Sequence, residues 1–281
     1  MDSLVSTQWL AGELGASDLR VVDASYHLPQ ENRDARAEYE AGHIPGAVFL
    51  DLDSLVDPGA PFDNTLPSAE AFAERMTSLG IAEGNRIVLY DDASAHTSAR
   101  AWFMLRLFGA RHVAVLDGGL AKWKAEGRPL SRSTEMPDRR PFAASLAAGT
   151  LRTKADLLAN LARPAEQVVD ARAAPRFAGE QDEPRPGIGK GHIPGARNVA
   201  YARLFNSDGT FKDPAGVRAA FEEAGVDLAK PLVTSCGSGI SACVLSFALH
   251  LIGKDDVSLY DGSWGEWGAD PETPKELGHG S

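Results

Sequence analysis

The run Cys236–Ala242, Cys-Gly-Ser-Gly-Ile-Ser-Ala, places a thiol where backbone groups can act on it. Pro231–Ser235 before it has the make-up of a short buried strand, and Gly239–Ile252 after it is small or apolar on almost every face, as a buried helix is. The cysteine therefore falls in a tight loop between a strand end and a helix start. Successive N–H groups of such a loop face one point, and the helix dipole adds positive potential there. Gly237, Gly239 and the small serines let the backbone close around an anion. This arrangement favours the thiolate, the nucleophilic form of cysteine. Free cysteines are often plain core residues, and Cys243, inside the apolar helix, fits that description. Cys236 is flanked by loop-formers instead, and it reads as a nucleophile. The two thiols lie at different depths, which disfavours a disulfide. Two cysteines without a nearby histidine also give too few ligands for zinc, so neither a metal nor a cofactor is expected.

The rest of the composition bounds the setting. The chain has 281 residues, 43% hydrophobic and 24% charged, which suffices for two domains of average size. Its start, Met1–Trp9, lacks the basic and apolar run of a signal peptide, and no apolar stretch approaches a membrane span. With two cysteines, a reducing cytoplasm is the expected location, without membrane partners. A net charge of −11 argues against nucleic acid as a partner.

The sequence repeats itself. His-Ile-Pro-Gly-Ala occurs at His43–Ala47 and His192–Ala196, and Val-Val-Asp-Ala at Val21–Ala24 and Val168–Ala171. Asp117–Trp123 is matched by Asp261–Trp267 in the same order. Three motifs at nearly one offset indicate a duplicated domain of about 130–140 residues. Gly127–Thr153, rich in Pro, Arg, Ser and Ala, reads as the connection, giving domains at 1–137 and 153–281 with a linker at 138–152. In the first half Leu19–Ala24, Ala47–Leu50, Arg86–Tyr90 and His112–Leu116 read as strands, with helices at Arg36–Ala41, Ser68–Leu79 and Ser98–Phe108. The second half echoes the strands at Gln167–Asp170, Asn198–Val199, Leu232–Ser235 and Ser258–Tyr260. Such alternation predicts an α/β fold, each domain a mostly parallel sheet flanked by helices. Ligands bind beyond the carboxyl ends of such strands, where Cys236 lies. The end, Asp270–Ser281, reads as poorly ordered.

Duplication also separates scaffold from chemistry. Matching Arg86–Tyr90 with Pro231–Ser235 sets Asp91 opposite Cys236, so only the second half carries a thiol at this loop. Features held by both halves are then structural: His43 and His192 are expected to serve their turns, and Asp23 and Asp170 to bond neighbouring backbone.

Tandem domains, a His-Ile-Pro-Gly turn in each, and a Cys-initiated six-residue loop resemble the two-domain rhodanese-type sulfurtransferases over essentially the whole chain. The loop is similar to that of the 3-mercaptopyruvate sulfurtransferases, since Gly237 and Ser238 stand where thiosulfate enzymes carry basic residues. The resemblance implies that Cys236 takes sulfur from a small-molecule donor as a persulfide, and that the backbone of Gly237, Ser238, Gly239, Ile240, Ser241 and Ala242 stabilises it. It further implies that Ser238 relays a proton and that Arg176 and Arg185 grip the donor's carboxylate and carbonyl. The residues alone leave these arginines open between donor binding and neutralising Glu180, Asp182 and Glu183. Asp53 matches an acidic residue that orients the serine or polarises the cysteine. Asn64 matches a position often held by histidine, which Asn cannot replace as a proton carrier. Thioredoxin or a small thiol is the implied acceptor. Thiosulfate:cyanide sulfurtransferase is the alternative activity and a non-catalytic binding domain a remote one. A phosphatase would need an arginine near Ser241 or Ala242.

Overall fold

The computed structural model of the chain describes residues 1–133 and 138–279. The chain divides into two compact units, one of Met1–Pro58, Leu66–Ala147 and Asn206–Phe211, the other of Gly59–Thr65, Ala148–Phe205 and Lys212 onward. The expected boundary at residue 137 lies outside the described residues, as do Gly280 and Ser281 at the chain end.

In the first unit the strands are β1 (Leu4–Val5), β2 (Leu19–Asp23), β3 (Ala47–Phe49), β4 (Arg86–Tyr90) and β5 (His112–Leu116), paired in the order β1-β5-β4-β2-β3. Every pairing is parallel. Its helices are α1 (Thr7–Glu13), α2 (Ala35–Ala41), α3 (Ala69–Ser78), α4 (Ser98–Leu107) and α5 (Gly119–Ala125). Ser6, Asp34 and Ser68 each accept a first-turn N–H, which fixes the starts of α1, α2 and α3. Helix α4 is buried on almost every face, as its run of apolar residues requires.

The second unit repeats the plan. Strands β6 (Leu151–Arg152), β7 (Gln167–Asp170), β8 (Arg197–Asn198), β9 (Leu232–Ser235) and β10 (Val257–Tyr260) pair in the order β6-β10-β9-β7-β8, again all parallel. Helices α6 (Lys154–Ala162), α7 (Ala174–Ala178), α8 (Pro214–Glu222), α9 (Ala242–Leu251) and α10 (Ser263–Trp267) complete it. Thr153 and Asp156 form a reciprocal cap on α6. Of the three two-residue edge strands, β1 and β6 carry too few residues to show a period, and β8 is legible as the echo of β3 in the first repeat.

Shared features do scaffold work. His43 donates Nδ1–H to the Tyr39 carbonyl at 2.8 Å and stacks on the Tyr39 ring, and His192 does the same with Phe177 at 2.9 Å. Asp23 accepts the Ser25 N–H at 2.9 Å and Asp170 the Arg172 N–H at 2.8 Å, each two residues on.

The chain end differs from expectation. Trp267 donates its indole N–H to the Pro274 carbonyl, Glu276 pairs with His192 as an antiparallel bridge, and the Gly278 N–H reaches the Ala178 carbonyl. Its counterpart follows the first repeat: Trp123 bonds the Pro129 carbonyl, and Ser131 bridges His43. Segments without helical or strand period are thus a repeated closing strap, held by one indole and one turn histidine. Within the expected linker, Phe142 is buried against Phe72, and the Ala147 N–H bonds the Leu107 carbonyl.

Burial pushes the Asp23 carboxyl up to about 6, against the bonds from Ser25 and Tyr90 that oppose the shift. The folded chain therefore holds this proton more tightly than the unfolded chain. Stability from this group is present at low pH and is lost as pH rises from about 4 through about 6. Asp23→Asn keeps an acceptor for Ser25 but carries no charge. The stability of this variant relative to wild type should grow by about 1–3 kcal/mol between pH 4 and pH 7 in urea unfolding. A difference that stays flat across that range would show that burial does not govern this carboxyl.

Candidate active site

Cys236 follows the last residue of β9 and is 1% exposed. The loop then runs to α9, which begins at Ala242. Gly239 turns it with φ at +77°, a conformation that suits glycine. The start of α10 holds this loop from behind. The Trp264 N–H donates to the Cys236 carbonyl and the Gly265 N–H to the Gly237 carbonyl, both at 2.9 Å. Ser263 Oγ accepts from the Cys236 N–H at 3.1 Å and the Gly239 N–H at 3.2 Å, and donates to the Tyr260 carbonyl at 2.9 Å. The same oxygen lies 4.0 Å from Cys236 Sγ.

Among the described residues the N–H groups of Gly237, Ser238, Ile240, Ser241 and Ala242 have no protein acceptor. These are donors for an anion at the loop, next to the sulfur, at the start of a helix whose dipole favours negative charge. Cys243, in α9, donates its thiol to the Gly239 carbonyl at 3.2 Å. Both cysteines are free thiols.

One arginine lies against the loop and a second against Gly265 of α10. Arg176, in α7, is close enough that a methyl built on Gly237 would stand 3.0 Å from its Nη2. Arg185 Nη1 stands 3.7 Å from where a methyl on Gly265 would be. Each arginine also has a carboxylate. Arg176 donates through Nε and Nη2 to Glu183, and Arg185 Nε pairs with Asp63 at 2.9 Å. The second unit includes the short segment Gly59–Thr65, and Asn64 in it donates Nδ2–H to Ser238 Oγ at 3.1 Å. Asn64 is buried, with φ at +61°.

Cys236, Ser238, the loop from Gly237 to Ala242, Arg176 and Arg185 thus all sit within one unit. Asp53 belongs to the first unit, where it is exposed and its N–H bonds the Asp51 carboxylate. Motif and period do not single out Ser263, Glu183 or Asp63. For Ser263 the repeat holds a signal: its counterpart is Gly119, which has nearly the same positive φ, +56° against +51°. A serine where the partner repeat needs glycine is a strained choice, and strain of this kind gathers at functional sites. Chemically, the arrangement offers a sulfur nucleophile, backbone donors for an anion, and two guanidinium groups.

The rhodanese-like domain family matches residues 6–126 and again 153–270. Over 99% of its length the chain is 43% identical to the rat 3-mercaptopyruvate sulfurtransferase, covering 96% of that protein. It is 42% identical to the bovine thiosulfate sulfurtransferase at the same two coverages. Among solved structures, the 3-mercaptopyruvate sulfurtransferase SseA of Escherichia coli superposes with a TM-score of 0.86 at 37% identity, over 94% of this chain and 99% of that one.

Ser263→Ala leaves two buried N–H groups without their acceptor, a cost of about 1–3 kcal/mol for each. It should slow alkylation of Cys236 by iodoacetamide at least tenfold and lower stability in urea. Ser263→Gly relieves the positive φ, so it should recover part of the stability and none of the alkylation rate. Equal rates in wild type and both variants would remove Ser263 from the site.

Proposed function

The chain belongs to the rhodanese-like family, and from that we propose that it transfers sulfur from 3-mercaptopyruvate to a thiol acceptor through a persulfide on Cys236. The observation that carries the choice of donor is the approach of Arg176 to Gly237. A 2-keto acid presents a planar carboxylate and an adjacent carbonyl, which a guanidinium fork matches. Neutral Gly237 leaves that fork room beside the thiol. A long basic side chain at the same position would meet Arg176 and repel it.

The Cys236 thiolate attacks the donor sulfur. The new S–S bond takes shape as the C–S bond breaks, and the electron pair of that bond passes to carbon as the enolate of pyruvate. The donor's thiol proton, first left on the outer persulfide sulfur, moves to the enolate carbon, giving pyruvate and the persulfide anion. Ser238, steadied by Asn64, is the hydroxyl assigned to that relay. The N–H groups of Gly237, Ser238, Ile240, Ser241 and Ala242 stabilise first the thiolate and then the persulfide anion. An acceptor thiolate next takes the outer sulfur and frees Cys236. Thioredoxin or a small thiol in the cytoplasm suits this step. Asp53 is given no step here, because the second unit supplies its own donors.

The bovine relative keeps thiosulfate as the second reading. Steady-state rates with both donors decide between them, and mercaptopyruvate should have the higher kcat/KM. Cys236→Ser should abolish transfer with either donor, and Cys243→Ser should leave most of it, because a hydroxyl is a far weaker nucleophile than a thiolate. Mass spectrometry of loaded protein should find one added sulfur, on Cys236. Sulfur on Cys243 instead would overturn the assignment.

Arg176→Ala and Arg185→Ala should each weaken mercaptopyruvate kcat/KM by about 1.5–3 kcal/mol, the worth of a charge-assisted hydrogen bond. Thiosulfate turnover should suffer less from at least one of them, since it lacks the keto-acid contact. Equal losses for both donors would return the arginines to general surface charge.

A further inference from the structure

Glu183 is an acid held almost wholly inside the protein, its side chain 4% exposed, between two arginines. On one side its carboxylate takes Nη1 of Arg172 at 2.7 Å, and on the other it takes Nε and Nη2 of Arg176. Arg172 is itself fixed. Its side chain is 1% exposed, it bonds both oxygens of Asp170 and the Gly191 carbonyl, and its guanidinium lies 4.6 Å from the Trp264 ring. Trp264 is the residue whose N–H holds the Cys236 carbonyl. One buried network therefore reaches both the nucleophile's loop and an arginine beside it.

The repeat shows that this network is not needed for the fold. Asp170 and Asp23 are equivalent, and each accepts the N–H two residues on. The residue supplying that N–H is Arg172 in the second unit and Ser25 in the first. The same turn thus closes with a serine, and the arginine is an addition confined to the unit that carries the thiol.

We infer that Glu183, backed by Arg172, is the positioning residue for Arg176 and a determinant of donor choice. A guanidinium has two edges that can meet an anion in parallel. Glu183 takes the Nε–Nη2 edge, and among the described residues the Nη1–Nη2 edge has no partner. Nη2, the nitrogen that this edge shares with the edge held by Glu183, is the atom beside Gly237. A fork fixed in this way meets a planar carboxylate and carbonyl in register. It matches a tetrahedral thiosulfate less well, so loss of the fixing carboxylate harms the keto acid more. A buried carboxylate with charge on two sides does not swing, whereas the exposed partner of Arg185 is free to leave (Asp63, 71% exposed).

The inference rests on the proposed donor, and its test is a double-mutant cycle run with both donors. Glu183→Gln should lower kcat/KM for mercaptopyruvate at least tenfold and for thiosulfate by no more than threefold. In an Arg176→Ala background it should cause no further loss with mercaptopyruvate, while its effect on thermal stability, which comes through Arg172, persists in both backgrounds. A purely structural glutamate would instead cost the same factor in both backgrounds, and that result overturns the inference. Should Glu183→Gln not fold, Glu183→Asp carries the same test, since it keeps the charge but withdraws it by one methylene. If wild-type protein turns over thiosulfate and not mercaptopyruvate, the proposed donor is wrong. The cycle is then read with thiosulfate, where coupling between Glu183 and Arg176 still stands or falls by itself.

Discussion

A loop whose N–H groups at Gly237, Ser238, Ile240, Ser241 and Ala242 find no protein acceptor among the described residues is not closed by its own bonds. Such a loop persists only if it is held from outside its own span. Here the holding is done by the start of α10: Trp264 and Gly265 pin two carbonyls, and Ser263 Oγ takes the N–H groups of Cys236 and Gly239. The donors left over are the ones that the proposed chemistry at sulfur would use. The rest of the second unit's site follows from that division between N–H groups spent on the fold and N–H groups kept for an anion.

The first unit solves the same geometric problem without chemistry. There Asp91 stands at the end of β4, and its own carboxylate accepts from the Ala93 N–H at 3.1 Å and the Ser98 N–H at 2.8 Å, the latter at the start of α4. The loop is filled by a side chain of the chain itself. Its carbonyl is pinned as in the second unit, by the Leu120 N–H at 3.0 Å. Gly119 is required beside it, because a methyl at that position would come within 2.5 Å of the Asp91 carbonyl oxygen. Duplication has thus preserved the scaffold and left one loop closed by a carboxylate and the other open beside a thiol.

The charges near the thiol are arranged on two levels of rigidity. Glu183 is enclosed and fixes Arg176, and its attraction is little screened. Asp63 is exposed, and such a pair contributes little to stability and exchanges readily with another anion. Under the proposed function, one arginine is held for a donor in advance, and the other is covered by a carboxylate that a donor can replace.

Much of this is legible in the order of residues alone. Period, turn residues and repeats are local properties, so β2, β4, β5, β7 and β9, the duplicated plan and the strand–loop–helix setting of Cys236 all follow from neighbouring residues in the chain. The roles of His43 and His192 follow from their presence in both repeats. Edge strands of two residues and the closing straps after Trp123 and Trp267 carry no period, and their order comes from an indole finding a carbonyl. Ser263 and Glu183 belong to the same class, and Asn64 is marked only by the family resemblance. A serine looks like a turn residue, a glutamate among acids looks like solvated charge, and nothing near Asn64 in sequence announces Ser238, 174 residues away. The repeat, the strand–loop–helix setting of Cys236 and the class of chemistry are legible in the sequence, because these reside in contiguous residues. Tertiary structure alone decided which N–H groups are spent, which arginine is fixed and which segment reaches Ser238, because those depend on where chain folding brings distant polar atoms within bonding distance.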